Sequence, residues 1–178
     1  MKQLLYFLLI LTFFTACKTS SPIITSKKVI AIKETQTRSE KKKTASKTNH
    51  LIEKLIDSAS ENIGVKYRSG GTTKAGFDCS GLLYSVFSSY DIQIPRSSYE
   101  QSKLGLIIDR ERDNIKKGDL IFFKTNRKSK INHVGMVIES SDEDVKFIHS
   151  STSRGVIISS INEPYYQNSF VQINRILR

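Results

Sequence analysis

Three side chains combine a nucleophile with bases: Cys79 in "DCSG", His133 in "NHVG" and His149 in "FIHSS". A thiol attacks a carbonyl carbon when a neighbouring imidazole takes its proton and a further polar group holds that imidazole in one orientation. A Cys-His-His set therefore suits amide hydrolysis or acyl transfer through a thioester. The same residue types also bind zinc. Zinc takes three or four protein ligands, usually with closely spaced pairs among them, and no such pairs surround these positions, so no metal or other cofactor is expected. Taken singly, Cys79 reads equally as a small buried hydrophobe or as a disulfide partner of Cys17, and a strand histidine is usually structural. Placement is what distinguishes these readings.

Cys79 precedes a helical stripe formed by Leu82, Leu83, Val86, Phe87 and Tyr90, with serines on the other side. That position is the first turn of a core-packed helix, where unpaired N–H groups and the positive end of the dipole favour an anion. A thiol so placed is expected to have a lowered pKa. An earlier helix is expected from Leu51, with Asn49 as N-cap, Leu51, Ile52, Leu55, Ile56, Ala59 and Ile63 on one stripe, and Gly64 as terminator. A short third helix is marked by "IPRSSYEQ", where Ser97 and Glu100 have capping-box spacing. Strands follow at "KKGDLIFF" (116 to 123), 133 to 139, 145 to 151, 155 to 161 and 169 to 177. Helices followed by a run of antiparallel strands predict an α+β domain. If 139 pairs with 145 across a five-residue loop, His149 falls opposite Gly135 and His133 is its diagonal neighbour, about 7 to 8 Å away. Odd-length loops leave both histidines on one face, whereas an even-length loop separates them. Gly135 and Ser150 beside them are expected to leave room for a substrate.

The 178 residues suffice for one domain with appendages. Residues 1 to 16 read as a secretory signal: Lys2, then an uncharged apolar run from Leu4 to Phe14 that is too short to span a bilayer. Cys17, after Thr15 and Ala16, resembles the lipidated cysteine of bacterial lipoproteins, although Phe14 stands where an aliphatic residue is usual. This reading takes Cys17 out of disulfide chemistry and implies export to the cell envelope, with a lipid anchor in the membrane and the domain facing the periplasm. Residues 17 to 50 then form a flexible basic tether: positions 18 to 50 hold nine Lys/Arg against two Glu. As coil such a segment spans about 30 Å. The remaining domain, 51 to 178, carries only +3 of the chain's +11, and a nucleic-acid partner is disfavoured because no stacking aromatics accompany the "KKK" at 41 to 43.

The ordered blocks "GTTKAGFDCSGLLYSVF", "IPRSSYEQ", "KKGDLIFF", "NHVGMVIE" and "FIHSSTSRGVIISSINEPYY" resemble the NlpC/p60 cysteine peptidases, and within that family the Spr-type lipoproteins. The resemblance implies a papain-like α+β fold, a monomer, and hydrolysis of peptidoglycan stem peptides. It implies Cys79 as nucleophile, His133 as general base and His149 as the residue orienting it, with Tyr67 supporting the oxyanion beside the Cys79 N–H. Asp78 and Ser80 match groove positions, and Arg96 and Gln101 match a recurring block of structural or substrate-facing role. Ser69 departs from the aromatic residue usual before the glycine pair. Three activities follow from the resemblance: an endopeptidase, an acyltransferase or amidase using the same thioester, and a wall-binding module without catalysis. Intact Cys79, His133, His149 and Tyr67 weigh against the last. Among endopeptidase cuts, the D-alanyl cross-link is preferred to the bond between D-glutamate and the diamino acid.

Overall fold

In the computed structural model, residues 26–110, 114–126 and 130–177 are described, side chains from 40 onward. Two compact units divide the chain at Lys41/Lys42. Helix α1 runs Ser26–Ser60, so it starts well before the expected Asn49 cap and takes in the segment from 26 to 50 that was read as flexible coil. No glycine or proline interrupts Ser26–Ser60, and its Lys, Glu, Gln and Ala residues are strong helix formers. The low aromatic and glycine content that suggested a coil is equally compatible with a charged helix. Leu55, Ile56 and Ala59 are buried as the stripe requires. Ile63 is not: it is 50% exposed, beyond the last turn, where Gly64 at φ +88° redirects the chain.

A two-stranded hairpin, β1 (Thr72–Thr73) and β2 (Gly76–Phe77), forms in the glycine-bearing stretch after Tyr67, and helix α2 (Cys79–Ser88) begins just beyond it, after Asp78. Asp78 caps α2, accepting from the Gly81 N–H at 2.6 Å. Glycine is needed at 81 because a Cβ there would lie 2.0 Å from the Gly71 carbonyl oxygen, so the hairpin loop could not approach the helix. Helix α3 (Ser98–Gln101) carries the expected Ser97 cap, which accepts from the Glu100 N–H at 3.3 Å.

The strands β3 (Leu106–Ile108), β4 (Leu120–Phe123), β5 (His133–Ser140), β6 (Val145–Ser151), β7 (Gly155–Ser160) and β8 (Phe170–Arg175) form one antiparallel sheet in the order β3-β8-β4-β5-β6-β7. A short helix, α4 (Pro164–Ser169), lies between β7 and β8. Both faces of the sheet are covered. Leu120, Phe122, Val134, Met136 and Ile148 pack with Leu55, Leu82, Leu83 and Phe87 from the helices. Ile121, Phe123, Val137, Phe147 and Ile173 pack with Ile161 and Tyr166 on the opposite face. Burial on both sides explains why "LIFF" shows no alternation of polar and apolar residues.

The β5–β6 register bears directly on the histidines. Ser140 pairs with Val145, so the connecting loop is even, and an even loop alone would put the histidines on opposite faces. A bulge between Val137 and Glu139 adds one residue to β5 and restores the parity, giving Met136 opposite Ile148. The expected diagonal relationship of His133 and His149 is recovered by a different route.

Candidate active site

Cys79 sits at the first turn of α2 and is 6% exposed. Its Sγ lies 3.8 Å from the Asn132 carbonyl oxygen, and the Val134 N–H also acts on it, so the thiol rests against the backbone on both sides of His133. Asn132 is held for this contact by its side chain, which accepts from the Thr125 N–H at 2.8 Å and donates to Thr125 Oγ1 at 3.0 Å.

His133 is 7% exposed and His149 is fully buried. His133 Nε2 and His149 Nδ1 are 2.9 Å apart with the rings nearly perpendicular, at 85°. On its far side His149 Nε2 meets Tyr166 Oη at 3.1 Å and Ser159 Oγ at 3.2 Å. Two proton arrangements satisfy these contacts, and the one that leaves His133 able to act as a base is as follows. With His133 Nε2 committed to His149, Nδ1 is the nitrogen left to accept a proton. His133 then donates from Nε2, and His149 accepts at Nδ1 and donates from Nε2 to the hydroxyls.

Space beside the histidines is not open, contrary to expectation. Gly135 is packed against Phe147 and His149: a Cβ there would lie 2.6 Å from the Phe147 ring and 3.3 Å from His149 Cβ. Ser150 is buried and its hydroxyl donates to the Phe77 carbonyl at 2.8 Å, tying β6 to the strand that leads into Cys79. These small residues allow close packing of the relay; they do not form a groove.

The lowered thiol pKa expected from the helix start is also reversed. Burial pushes Cys79 up to about 11, and the nearby Asp78 carboxylate adds to this, outweighing the amides of Val134, Ser80 and Cys79 that favour the anion. Burial pushes His133 down to about 4. Burial, with repulsion from His133 and Arg154, pushes His149 down to about 2. The resting pair is thus neutral thiol and neutral imidazole at pH 7. The expected outcome is that alkylation of Cys79 by iodoacetamide is slow at neutral pH and accelerates about tenfold per pH unit on the way to 11. A rate already on its plateau at pH 7 would refute this assignment.

Tyr67 is half-buried and held by a bridge to Phe77. Burial, then the proximity of Cys79 and Asp78, raises its pKa, so its hydroxyl stays protonated and able to donate. Asp78 is occupied on every side. It accepts from the Gly81 and Gly70 N–H groups and from Ser80, and binds Arg96 bidentately, Nη1 to Oδ1 at 2.9 Å and Nη2 to Oδ2 at 2.6 Å. Burial works to raise its pKa, but Arg96 and the amides hold it below the usual carboxylate range. Gln101 is fully buried and donates to the Ser80 carbonyl at 3.2 Å and the Pro95 carbonyl at 2.8 Å, so it joins α3 to α2 from inside the fold.

Tyr166, Ser159 and Asn132 were not singled out from the sequence. The two hydroxyls reach His149 only through pairing of β6 with β7 and the position of α4, and no spacing along the chain signals either contact.

The NlpC/P60 family profile matches residues 64–175. Over 125 residues, 70% of this chain, the sequence is 39% identical to the murein DD-endopeptidase MepS/murein LD-carboxypeptidase of Escherichia coli K12, and the match spans 62% of that protein. It is 38% identical over 125 residues to the gamma-D-glutamyl-L-lysine dipeptidyl-peptidase of Bacillus cereus, spanning 36% of it. A crystal structure of an NlpC/P60 family protein from Bacillus cereus superposes with a TM-score of 0.64 at 36% identity, covering 71% of this chain and 40% of that one. The thiol at a helix start, the paired histidines on β5 and β6, and a family match over more than half the chain have one common explanation: this chain belongs to the NlpC/P60 family.

Proposed function

We propose that the chain is a cysteine endopeptidase of peptidoglycan that hydrolyses the D-alanyl cross-link between stem peptides. The observation that carries the chemistry is the continuous contact from the Cys79 thiol, against the 132–134 backbone, through His133 to His149 and its two hydroxyls. Substrate binding brings the carbonyl carbon to Sγ. The thiol proton passes to His133 Nδ1 as the C–S bond forms, and the developing oxyanion is met by the Cys79 N–H and the Tyr67 hydroxyl. Collapse breaks the C–N bond, and the departing amine takes the proton from His133. Water then attacks the thioester with His133 again as base, releasing the carboxylate and restoring the thiol.

Similarity to MepS favours the cross-link; a relative of nearly equal identity is named for the D-glutamyl bond, which is the second reading. Digestion of purified cross-linked dimers separates them. Monomers with full-length stems are expected; products with dipeptide stems would transfer the assignment to the D-glutamyl bond, and new linkages would indicate acyl transfer. Cys17, outside the described residues, is proposed as the acylated anchor holding the enzyme at the envelope. Among the described residues no helix is long and apolar enough to cross a membrane. A Cys17→Ala chain should therefore leave the membrane fraction, and its retention there would remove the anchor.

A further inference from the structure

On α3, which packs against both α2 and β5, lies a cationic, aromatic platform that the chemistry above does not use. Tyr99 projects from the exposed side of α3, and two ammonium groups sit over its ring: Lys103 Nζ at 4.3 Å and Lys130 Nζ at 5.2 Å from the centroid. They arrive from different directions, Lys103 from just beyond α3 and Lys130 from the segment leading into β5. The ring therefore joins α3 to the segment that leads into β5. Lys130 is two residues before Asn132, whose carbonyl faces Sγ at 3.8 Å, so its backbone is within about 7 Å of that contact. Tyr99 is two residues before Gln101, whose amide holds the carbonyl of Ser80, the residue after the nucleophile.

Charge on this platform is only partly neutralised. Glu100 Oε1 pairs with Lys103 Nζ at 2.7 Å. Lys130 meets no carboxylate among the described residues and stays exposed. Both ammonium groups lie close to one ring, so an anion that reaches either of them meets positive charge while the ring offers an apolar surface to the adjoining chain. Asp78, by contrast, has its carboxylate fully engaged with Arg96 and backbone amides and has no valence free for a ligand cation. We infer that Tyr99, Lys103 and Lys130 form a subsite that binds a free carboxylate of the substrate peptide next to the scissile bond, with Lys130 as the residue that sets the preference. This rests on the peptidase reading, since it takes its ligand from the stem peptide.

The test uses the full chain carrying Cys79→Ala, so that binding is read without turnover. Its probes are a disaccharide-tetrapeptide with free carboxyls and the same molecule with those carboxyls converted to amides. Calorimetry is expected to show the free acid binding about fivefold more tightly, with the difference shrinking as salt rises. Adding Lys130→Ala should abolish the preference, Lys130→Arg should keep it, and Tyr99→Ala should weaken both probes. Equal affinity for the two probes, or a preference untouched by Lys130→Ala, overturns the subsite. Turnover by the chain with Cys79 intact is measured in parallel. Hydrolysis without carboxylate preference defeats the subsite alone, whereas a Lys130-dependent preference without hydrolysis defeats the peptidase reading and leaves the recognition standing.

Discussion

Replacing Cys79 by serine is expected to lower the hydrolysis of cross-linked muropeptides by about 10⁵- to 10⁶-fold, the loss typical when a nucleophile is removed from a unit of cooperating groups. The structure makes the loss steeper than a simple change of nucleophile. The thiol is buried and held up to about 11, and the imidazole that takes its proton is held down to about 4. Proton transfer between them is already uphill in the resting enzyme and becomes possible only as the C–S bond forms. A serine hydroxyl, far less acidic than a thiol, adds to that slope in a site where burial already opposes charge. The fold should survive, because Ser is slightly smaller than Cys and the nearby Asn132 carbonyl remains available as a hydrogen-bond acceptor. Muropeptide mass analysis together with a thermal melt checks both parts. Undiminished cleavage by a Cys79→Ser protein with an unchanged melt would remove Cys79 as nucleophile.

What the sequence revealed follows from how local each signal is. The stripe from Leu82 to Phe87 placed Cys79 at a helix start because a 3.6-residue period needs no partner to be visible. β5 and β6 were legible to within one residue, since the polar stretch 140–144 separates two apolar runs, although β5 runs on to Ser140. The electrostatics were not legible. The helix start alone suggested a stabilised thiolate, yet burial of Cys79 in the folded core dominates, and how deeply a side chain is covered depends on tertiary packing that no local spacing displays. Tyr166 and Ser159 escaped because their contacts with His149 depend on how β7 and α4 return to the sheet. Asp78 looked substrate-facing from its motif, but its environment shows a helix cap and ion-pair partner of Arg96. The β5–β6 parity was recovered despite a wrong loop length, since a bulge offset the even loop. Two opposite departures cancelled, and only the pairing of particular residues could expose either.

Substitutions along the histidine relay should separate the base from the group that orients it. His133→Ala removes the proposed base, whose backbone neighbours on either side contact the thiol, and a loss of about 10⁴-fold or more in kcat/KM is expected. His149 acts on His133 through Nδ1 at 2.9 Å, and on Tyr166 and Ser159 through Nε2. Asparagine places its amide near the Nδ1 position, so its oxygen can still accept the His133 Nε2–H. Glutamine places its amide farther out, nearer the position of Nε2, and leaves His133 without an acceptor. His149→Asn should therefore keep distinctly more activity than His149→Gln, although it removes the Nε2 contact to Tyr166 and Ser159 and lowers stability by about 1 to 3 kcal/mol. The pH profile supplies a second check. Catalysis needs neutral His133, so its protonation alone would let kcat/KM hold from neutrality down to about pH 4. Folding stability should fail sooner. An unfolded histidine takes up a proton near pH 6.5, whereas the folded ones resist to about 4 and about 2, so the contribution is complete above 6.5 and is lost as pH falls. Each histidine removes on the order of 1.4 kcal/mol per pH unit within its window. Melting temperature should begin to drop below pH 6.5 while activity at a permissive temperature is still level. An activity limb centred near pH 6.5 in a fully folded protein would mean that His133 titrates normally, and equal activity of the Asn and Gln variants would mean that His149 does not orient it through Nδ1.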